Sequence, residues 1–298
     1  MVTTDTTSSA SRQKAFKYDP LAQPFLKWAG GKRQLLPEIR KHIPTCYQRY
    51  FEPFIGGGAV LLALQPKYAF VNDANTELIN LYNVIKTAPE ELILDVKKHR
   101  NTEAYYYKIR SQDREKEFEK LSPIERASRI IFLNKTCYNG LFRVNSQGQF
   151  NVPFGSYNNP VIVDEPVIRA VSHYLNHAQV KLTTQDFATA LTSAKKGDFV
   201  YLDPPYDPIS DTSSFTGYSS GCFGKNEQRR LKEVCDDLTQ RQCKIIQSNS
   251  ATEFIRDLYS DTRYYTLIEV EASRNINSIA SGRGKISELL ILNSPTIE

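Results

Sequence analysis

In this chain of 298 residues, the tetrapeptide Asp203-Pro204-Pro205-Tyr206 closes the apolar run Phe199-Val200-Tyr201-Leu202. Such a run reads as a buried strand. Proline fixes φ and lacks an N–H, so Pro204 and Pro205 cannot extend the sheet and are a poor start for an ordinary helix. They leave carbonyl oxygens with no amides to compete for them. Asp203 falls at the carboxyl end of the strand, where open α/β sheets bind ligands. Its carboxylate and the Pro204 carbonyl form two adjacent acceptors, and Tyr206 adds a flat face. That set matches a planar amino group such as the exocyclic N6 of adenine. The lone pair of such a nitrogen is delocalised into the ring. Holding both N–H bonds from one side favours a pyramidal nitrogen that can attack an electrophile, through positioning and electrostatics rather than a metal. The competing explanation is a rigid loop with a capping acid.

A second constellation precedes it. Phe54-Ile55-Gly56-Gly57-Gly58 follows a strand-like run and opens an apolar helix. Glycines there let the backbone approach a ligand, and the helix start offers free N–H groups. Leu61 stands where a dinucleotide fingerprint needs its third glycine. Asp73 ends the next strand, 15 residues past Gly58. An acid there commonly binds ribose hydroxyls, and it is equally placed to cap the following helix. Asp186, after Val180-Lys181-Leu182, repeats the pattern with the capping reading stronger. Ala29-Gly30-Gly31-Lys32 suggests a phosphate loop but fails the test, because Leu26 and Arg33 replace the required glycine and hydroxyl. Trp28, the only tryptophan, is either a stacking surface or core.

These residues need a frame. Residues 25–44 read as a short strand, a glycine turn and a helix carrying Leu35, Leu36 and Ile39. Residues 49–64 and 67–86 repeat strand, turn, helix, the latter with Leu78, Leu81, Tyr82 and Ile85 at helical spacing. Strands alternating with helices imply a parallel, doubly wound α/β sheet. From 89 to 134 the pattern turns helical, charged and tyrosine-rich, with a capping box at Ser122-Pro123-Ile124-Glu125. Alternating runs around Ser146-Gln147-Gly148 then predict a β-hairpin. Sheet alternation resumes near Val161. The middle block therefore reads as an insertion, giving a sheet domain over 21–87 and 160–298, an inserted domain over 88–159 and a disordered leader over 1–20.

Bulk properties bound the rest. At 40% hydrophobic and 24% charged the chain reads as soluble and globular. No run approaches the roughly 18 apolar residues of a membrane span. The five cysteines (Cys46, Cys137, Cys222, Cys235, Cys243) show no metal-ligand spacing, and with no signal-like start they favour free thiols in a cytoplasm. A net charge of +5 is compatible with a polyanionic partner.

Taken in order, residues 25–32, 52–59, 70–75, the hairpin block and 203–206 resemble the Dam-type DNA adenine N6-methyltransferases, whose target-recognition region lies between cofactor and catalytic motifs. The likeness spans Pro24 to Leu292. It implies a Rossmann-like methyltransferase sheet with an inserted helical and hairpin DNA-recognition domain. It implies S-adenosylmethionine as methyl donor, with Trp28, Lys32, Phe54, Gly56, Gly58, Asp73, Asp186 and Asp203 at its site. Asp203, Pro204 and Tyr206 become catalytic. Lys27, Tyr138, Asn139, Leu141, Arg143 and Asn145 become DNA contacts, and Leu141, Arg143 and Asn145 independently share one face of the first hairpin strand. Arginine is the commonest bidentate reader of guanine. The implied substrate is double-stranded DNA at a short palindrome, GATC, bound by a monomer in the cytoplasm and nucleoid. A cognate restriction endonuclease, or a solitary role in replication and mismatch repair, are both consistent with it. Other amino acceptors (cytosine N4, RNA adenine) and a catalytically decayed DNA-binding protein are the alternatives. Thr136-Cys137 departs from the aromatic-glycine pair usual in the family.

Overall fold

A computed structural model describes residues 18–28, 32–208, 223–273 and 285–294. Its seven-stranded sheet runs in the order β3-β2-β1-β4-β5-β7-β6, with β1 Tyr50–Glu52, β2 Tyr68–Asn72, β3 Gln179–Thr183, β4 Phe199–Leu202, β5 Lys244–Ser250, β6 Tyr265–Ser273 and β7 Lys285–Asn293. The described helices are α1 Leu36–His42, α2 Ala59–Leu64, α3 Thr76–Thr87, α4 Pro89–Val96, α5 Glu103–Ser111, α6 Pro123–Thr136, α7 Glu165–His177, α8 Phe187–Ala190, α9 Lys225–Gln240 and α10 Glu253–Leu258.

The first five strands are parallel, as the alternation predicts. The far edge corrects the all-parallel expectation: β7 runs antiparallel between β5 and β6. Only eleven residues separate β6 from β7, and a parallel pair needs a crossover of a dozen or more.

Strand pleating sorts the core into two layers. Tyr50, Tyr201, Ile246 and Leu290 join α3 and α7 on one face. Phe51, Val200, Leu202, Ile245 and Leu289 join α9 and α10 on the other. Buried on both faces, β4 has no polar alternation, which explains its unbroken apolar run.

The strand expected at residues 25–28 does not form, although Phe25 and Leu26 are buried. A side chain replaces a strand partner there. The Lys27 N–H donates to Asn134 Oδ1 (2.8 Å), and Asn134 Nδ2 donates back to the Lys27 carbonyl (2.7 Å). Residues 29–31 and the expected leader up to residue 17 lie outside the described residues. Asp19, inside the expected leader, exchanges hydrogen bonds with Gln65. The four described cysteines are free; Cys222 is outside the described residues.

The capping box at Ser122 forms in full and starts α6. That helix serves two cores. Ala127, Ile130 and Ile131 enter the main core beside Leu92, Ile93 and Val96 of α4. Phe132 and Leu133 enter a smaller one with Tyr106, Phe142, Phe150 and Val152. The middle block is thus fused to the sheet by a shared core, while the hairpin end has its own. The hairpin itself is present but spare: Val144 bridges Phe150, Cys137 bridges Phe154, and Asn145 Oδ1 accepts from the N–H groups of Gln147 and Gln149 at the tip. Among the described residues no helix is long and apolar enough to cross a membrane.

Candidate active site

The strand order reverses at β1. The chain passes from β1 to β2 on one side, and from β4 to β5 on the other. At that reversal β1 and β4 lie side by side in parallel, Phe51 opposite Val200. The Gly56–Gly58 loop and the Asp203–Tyr206 loop therefore leave neighbouring strands at the same edge, the crevice where such sheets bind ligands.

On the β1 side, the Gly56 N–H donates to Asp73 Oδ2 and the Asn75 N–H to Asp73 Oδ1, each at 3.0 Å. Asn75, not Asp73, caps α3, by accepting from the Leu78 N–H at 3.1 Å. Asp73 instead stitches the glycine loop to the head of that helix. Burial raises its carboxyl pKa against the pull of both amides. The Trp28 indole lies across the loop. A Cβ on Gly56, whose φ is +47°, would sit 2.7 Å from the Trp28 Nε1. The indole also stacks on Phe142 of the hairpin (5.1 Å, 23°). Phe54 packs with Phe187 and Phe223 at 5.5 and 5.7 Å. Asp186 follows the capping reading: it accepts from the Ala188 N–H and pairs with Arg230 at the surface.

On the β4 side, Lys32, 4% exposed, sets its ammonium 2.7 Å from Asp203 Oδ1 and 4.7 Å from the centre of the Tyr206 ring. Assigned from sequence to the cofactor set, Lys32 is held by the Asp203 acid. Burial raises the Asp203 carboxyl to about 6, opposed by Lys32 and assisted by Glu288. The loop backbone is pinned from below. Gln228 Nε2 donates to the Pro205 carbonyl (2.9 Å), Asn249 Nδ2 donates to Gln228 Oε1, and Asn249 Oδ1 accepts from the Asp207 N–H. The hydroxyls of Ser250 and Thr252 donate to the Asp207 carbonyl and carboxylate. No donor among the described residues reaches the Pro204 carbonyl.

Two acids escaped the sequence reading. Glu52, at the end of β1, is buried and accepts from the Tyr50 hydroxyl at 2.7 Å. Burial pushes its carboxyl to about 8, with Asp203 and Asp73 adding repulsion. Glu288 on β7 accepts from the Tyr206 hydroxyl at 2.7 Å. Each is an acid set in an apolar strand run, which is the signal that could have revealed it. Asn134 was also missed.

The hairpin gives the expected DNA contacts different settings. Tyr138 and Asn139 are exposed, and Asn139 holds a left-handed φ of 55°. Lys27 is exposed with its ammonium 4.1 Å from the Tyr157 ring centre. Phe142 is buried in the hairpin core, and both Val144 and Leu141 pack against that core partly buried, so Leu141 does not share a solvent face with Arg143, contrary to what the alternation predicts. Arg143 Nε donates to Asn151 Oδ1 at 2.7 Å. The Asn145 side chain is spent on the turn, where its Nδ2 also donates to Gln149.

A family model described as D12 class N6 adenine-specific DNA methyltransferase matches residues 28–276. The chain is 44% identical over 273 residues to type II methyltransferase M1.LlaDCHI of Lactococcus lactis subsp. cremoris, covering 91% of this chain and 95% of that protein. It is 40% identical over 291 residues to type II methyltransferase M.MjaIII of Methanocaldococcus jannaschii, covering 91% and 99%. It is 34% identical over 279 residues to the DNA adenine methylase of Escherichia coli K12, covering 92% and 96%.

Proposed function

Because the chain belongs to the D12 class of N6 adenine-specific DNA methyltransferases, and so transfers methyl groups from S-adenosylmethionine to adenine N6 in DNA, we propose that Asp203, Pro204 and Tyr206 carry out the transfer. The observation that carries this is the emergence of the Asp203 and Gly56 loops from adjacent parallel strands.

The residues at the crevice suit the methyl donor. Asp73, Asp203 and Glu288 place acidic side chains around the crevice that holds the buried Lys32, an environment that favours a sulfonium and an ammonium, while burial holds Glu52 toward its neutral form. Asp73 beside the glycine loop suits ribose hydroxyls. Trp28, Phe54, Gly56, Gly58 and Asp73 are the proposed walls, with Lys32 and Asp186 at the margins. S-adenosylmethionine supplies the electrophilic methyl group.

The protein's part is to hold the nucleophile. A stacked adenine must first be turned out of the duplex, at a cost of about a few kcal/mol. Tyr206 then stacks on it. Lys32 holds Asp203 Oδ1, leaving Oδ2 and the Pro204 carbonyl to accept the two N6–H bonds. The Asp203 charge also stabilises the positive charge that grows on N6 as its bond to the methyl carbon forms and that carbon's bond to sulfur breaks, releasing the neutral thioether. The extra N6 proton would pass to solvent.

Residues 88–159 are the proposed target-recognition domain, inserted between 21–87 and 160–298. Lys27, Tyr138, Asn139, Leu141, Arg143 and Asn145 are the proposed DNA contacts, with Asn145 acting through the shape of the tip. The proposed target is GATC, which long-read detection of methyladenine in DNA from expressing cells tests directly. The names of the two type II relatives support a cognate restriction endonuclease as partner.

The decisive experiment is Asp203→Ala. Tritiated methyl transfer to DNA is expected to fall about 1000-fold, at the upper end of losses for one electrostatic group, while S-adenosylmethionine still binds. Transfer at the wild-type rate would overturn the assignment.

A further inference from the structure

We infer that Glu288 is a positioning residue for the reaction, holding the Tyr206 ring in its stacking plane before the target base arrives. The inference rests on the reading that Tyr206 stacks on the flipped adenine.

The backbone on both sides of Tyr206 is already fixed. Pro204 and Pro205 restrict φ, the Pro205 carbonyl accepts from Gln228, and the Asp207 N–H donates to Asn249. What remains free is the rotation of the ring about its own side-chain bonds. The 2.7 Å bond from the Tyr206 hydroxyl to Glu288 Oε2 removes that freedom from the far end of the ring.

Glu288 is a stable anchor. It lies on β7 between two partner strands, opposite Ser250 of β5 and Val270 of β6, and Leu289, Leu290 and Ile291 beside it are buried. The bond joins positions 82 residues apart, so the antiparallel edge of the sheet is tied to the reacting corner of its parallel half. The acid also carries a penalty, since its charge lies close enough to Asp203 to oppose ionisation there. An acid at that distance from a working carboxylate calls for a compensating role, and a charge-assisted hydrogen bond, about twice as strong as a neutral one, supplies it.

The test is a cycle of variants on the full chain, read by single-turnover methyl transfer with DNA and S-adenosylmethionine saturating. Tyr206→Phe and Glu288→Ala are each expected to slow transfer about 10-fold, a misplacement effect, with KM for DNA little changed. The double variant is expected to be no slower than the slower single, since both remove one bond. Glu288→Gln keeps an acceptor and is expected to recover most of the rate. Multiplying losses, or Tyr206→Phe at the wild-type rate, would overturn the inference. If Glu288→Ala does not fold, Tyr206→Phe alone decides. Tyr206→Ala separates the two readings: wild-type transfer there removes the stacking role itself. Collapse there, with Tyr206→Phe unimpaired, removes only the part given to Glu288.

Discussion

Around the reacting corner of the sheet, the polar groups are engaged inside the protein: Asp203 with Lys32, Tyr206 with Glu288, and Asp207 with three partners. On the hairpin, Tyr138 and Asn139 face solvent, while Arg143 and Asn145 hydrogen-bond to Asn151 and Gln149 of the same hairpin. The first region is preorganised, because a methyl transfer gains from atoms that do not move. The second, as the proposed DNA contact, would exchange its local partners for base edges, gaining specificity at the cost of local order. On the roles proposed for the two regions, one chain places rigidity where bonds form and adaptability where sequence is read. The two regions meet at Trp28, which lies against Gly56 and stacks on Phe142, and at Asn134, which ties the Lys27 backbone to the Gly140 carbonyl.

After Asp203→Ala, the largest effect is expected where the two regions meet. Trp28→Ala removes a shared aromatic wall. Loss of an aromatic wall that packs on the ligand is expected to weaken S-adenosylmethionine binding by about 2–3 kcal/mol, the scale for truncating an aromatic binding anchor, or about 100-fold. Discrimination between cognate and altered DNA sites is expected to fall in the same variant, because the hairpin loses its stack. Titration with the methyl donor and competition between DNA duplexes measure the two losses. A change in the first with none in the second would break the link between the regions.

A change confined to the hairpin sharpens the contrast. Arg143→Ala is expected to relax discrimination at one base pair by about 1–3 kcal/mol, leaving S-adenosylmethionine affinity unchanged. A uniform loss over all sequences, with a shallower salt slope, would assign Arg143 to a phosphate instead.

The sheet corner alone should answer to pH. Burial raises the Asp203 carboxyl to about 6, and its ionised form is the one that keeps Oδ2 as an acceptor for one N6–H bond beside the Pro204 carbonyl, as proposed. Protonation thus removes the working form as pH falls. The kcat/KM profile reports the free enzyme, so its acid limb is expected to lie near pH 6 and to drop about tenfold per unit below it. Arg143→Ala should leave that limb in place. A profile flat down to pH 5 would remove Asp203 from the rate equation.

The same division governs how much was legible in the sequence. The glycine loop, the acid at 73, the capping box and the proline corner are contiguous and carry local chemistry, so each could be read and its element formed. Glu288 and Asn134 could not be read as partners, because what they bind lies 82 and 107 residues away. The same blindness predicted a strand at residues 25–28, where hydrophobic residues are buried but a side-chain amide supplies the hydrogen bonds. The antiparallel edge was missed because strand composition says little about direction; the length of the connection decides it. Asp73 was undecided between ligand and cap until Asn75 proved to hold the cap.

The smallest expected effect compares one substitution in both regions. Gly148 at the hairpin tip has φ +77°, and a Cβ there meets nothing within 4 Å. Gly148→Ala should cost only the left-handed backbone penalty, about 1 kcal/mol, seen as a Tm lower by roughly 2 °C with transfer rate nearly unchanged. At Gly56 the backbone is also left-handed, but the new methyl group would lie 2.7 Å from the Trp28 Nε1. The indole would have to move, taking with it the wall of the crevice and its stack on Phe142. Gly56→Ala is therefore expected to weaken S-adenosylmethionine binding well beyond what its Tm change accounts for. Equal ratios of binding loss to Tm loss at the two glycines would mean that the corner is no more preorganised than the hairpin tip.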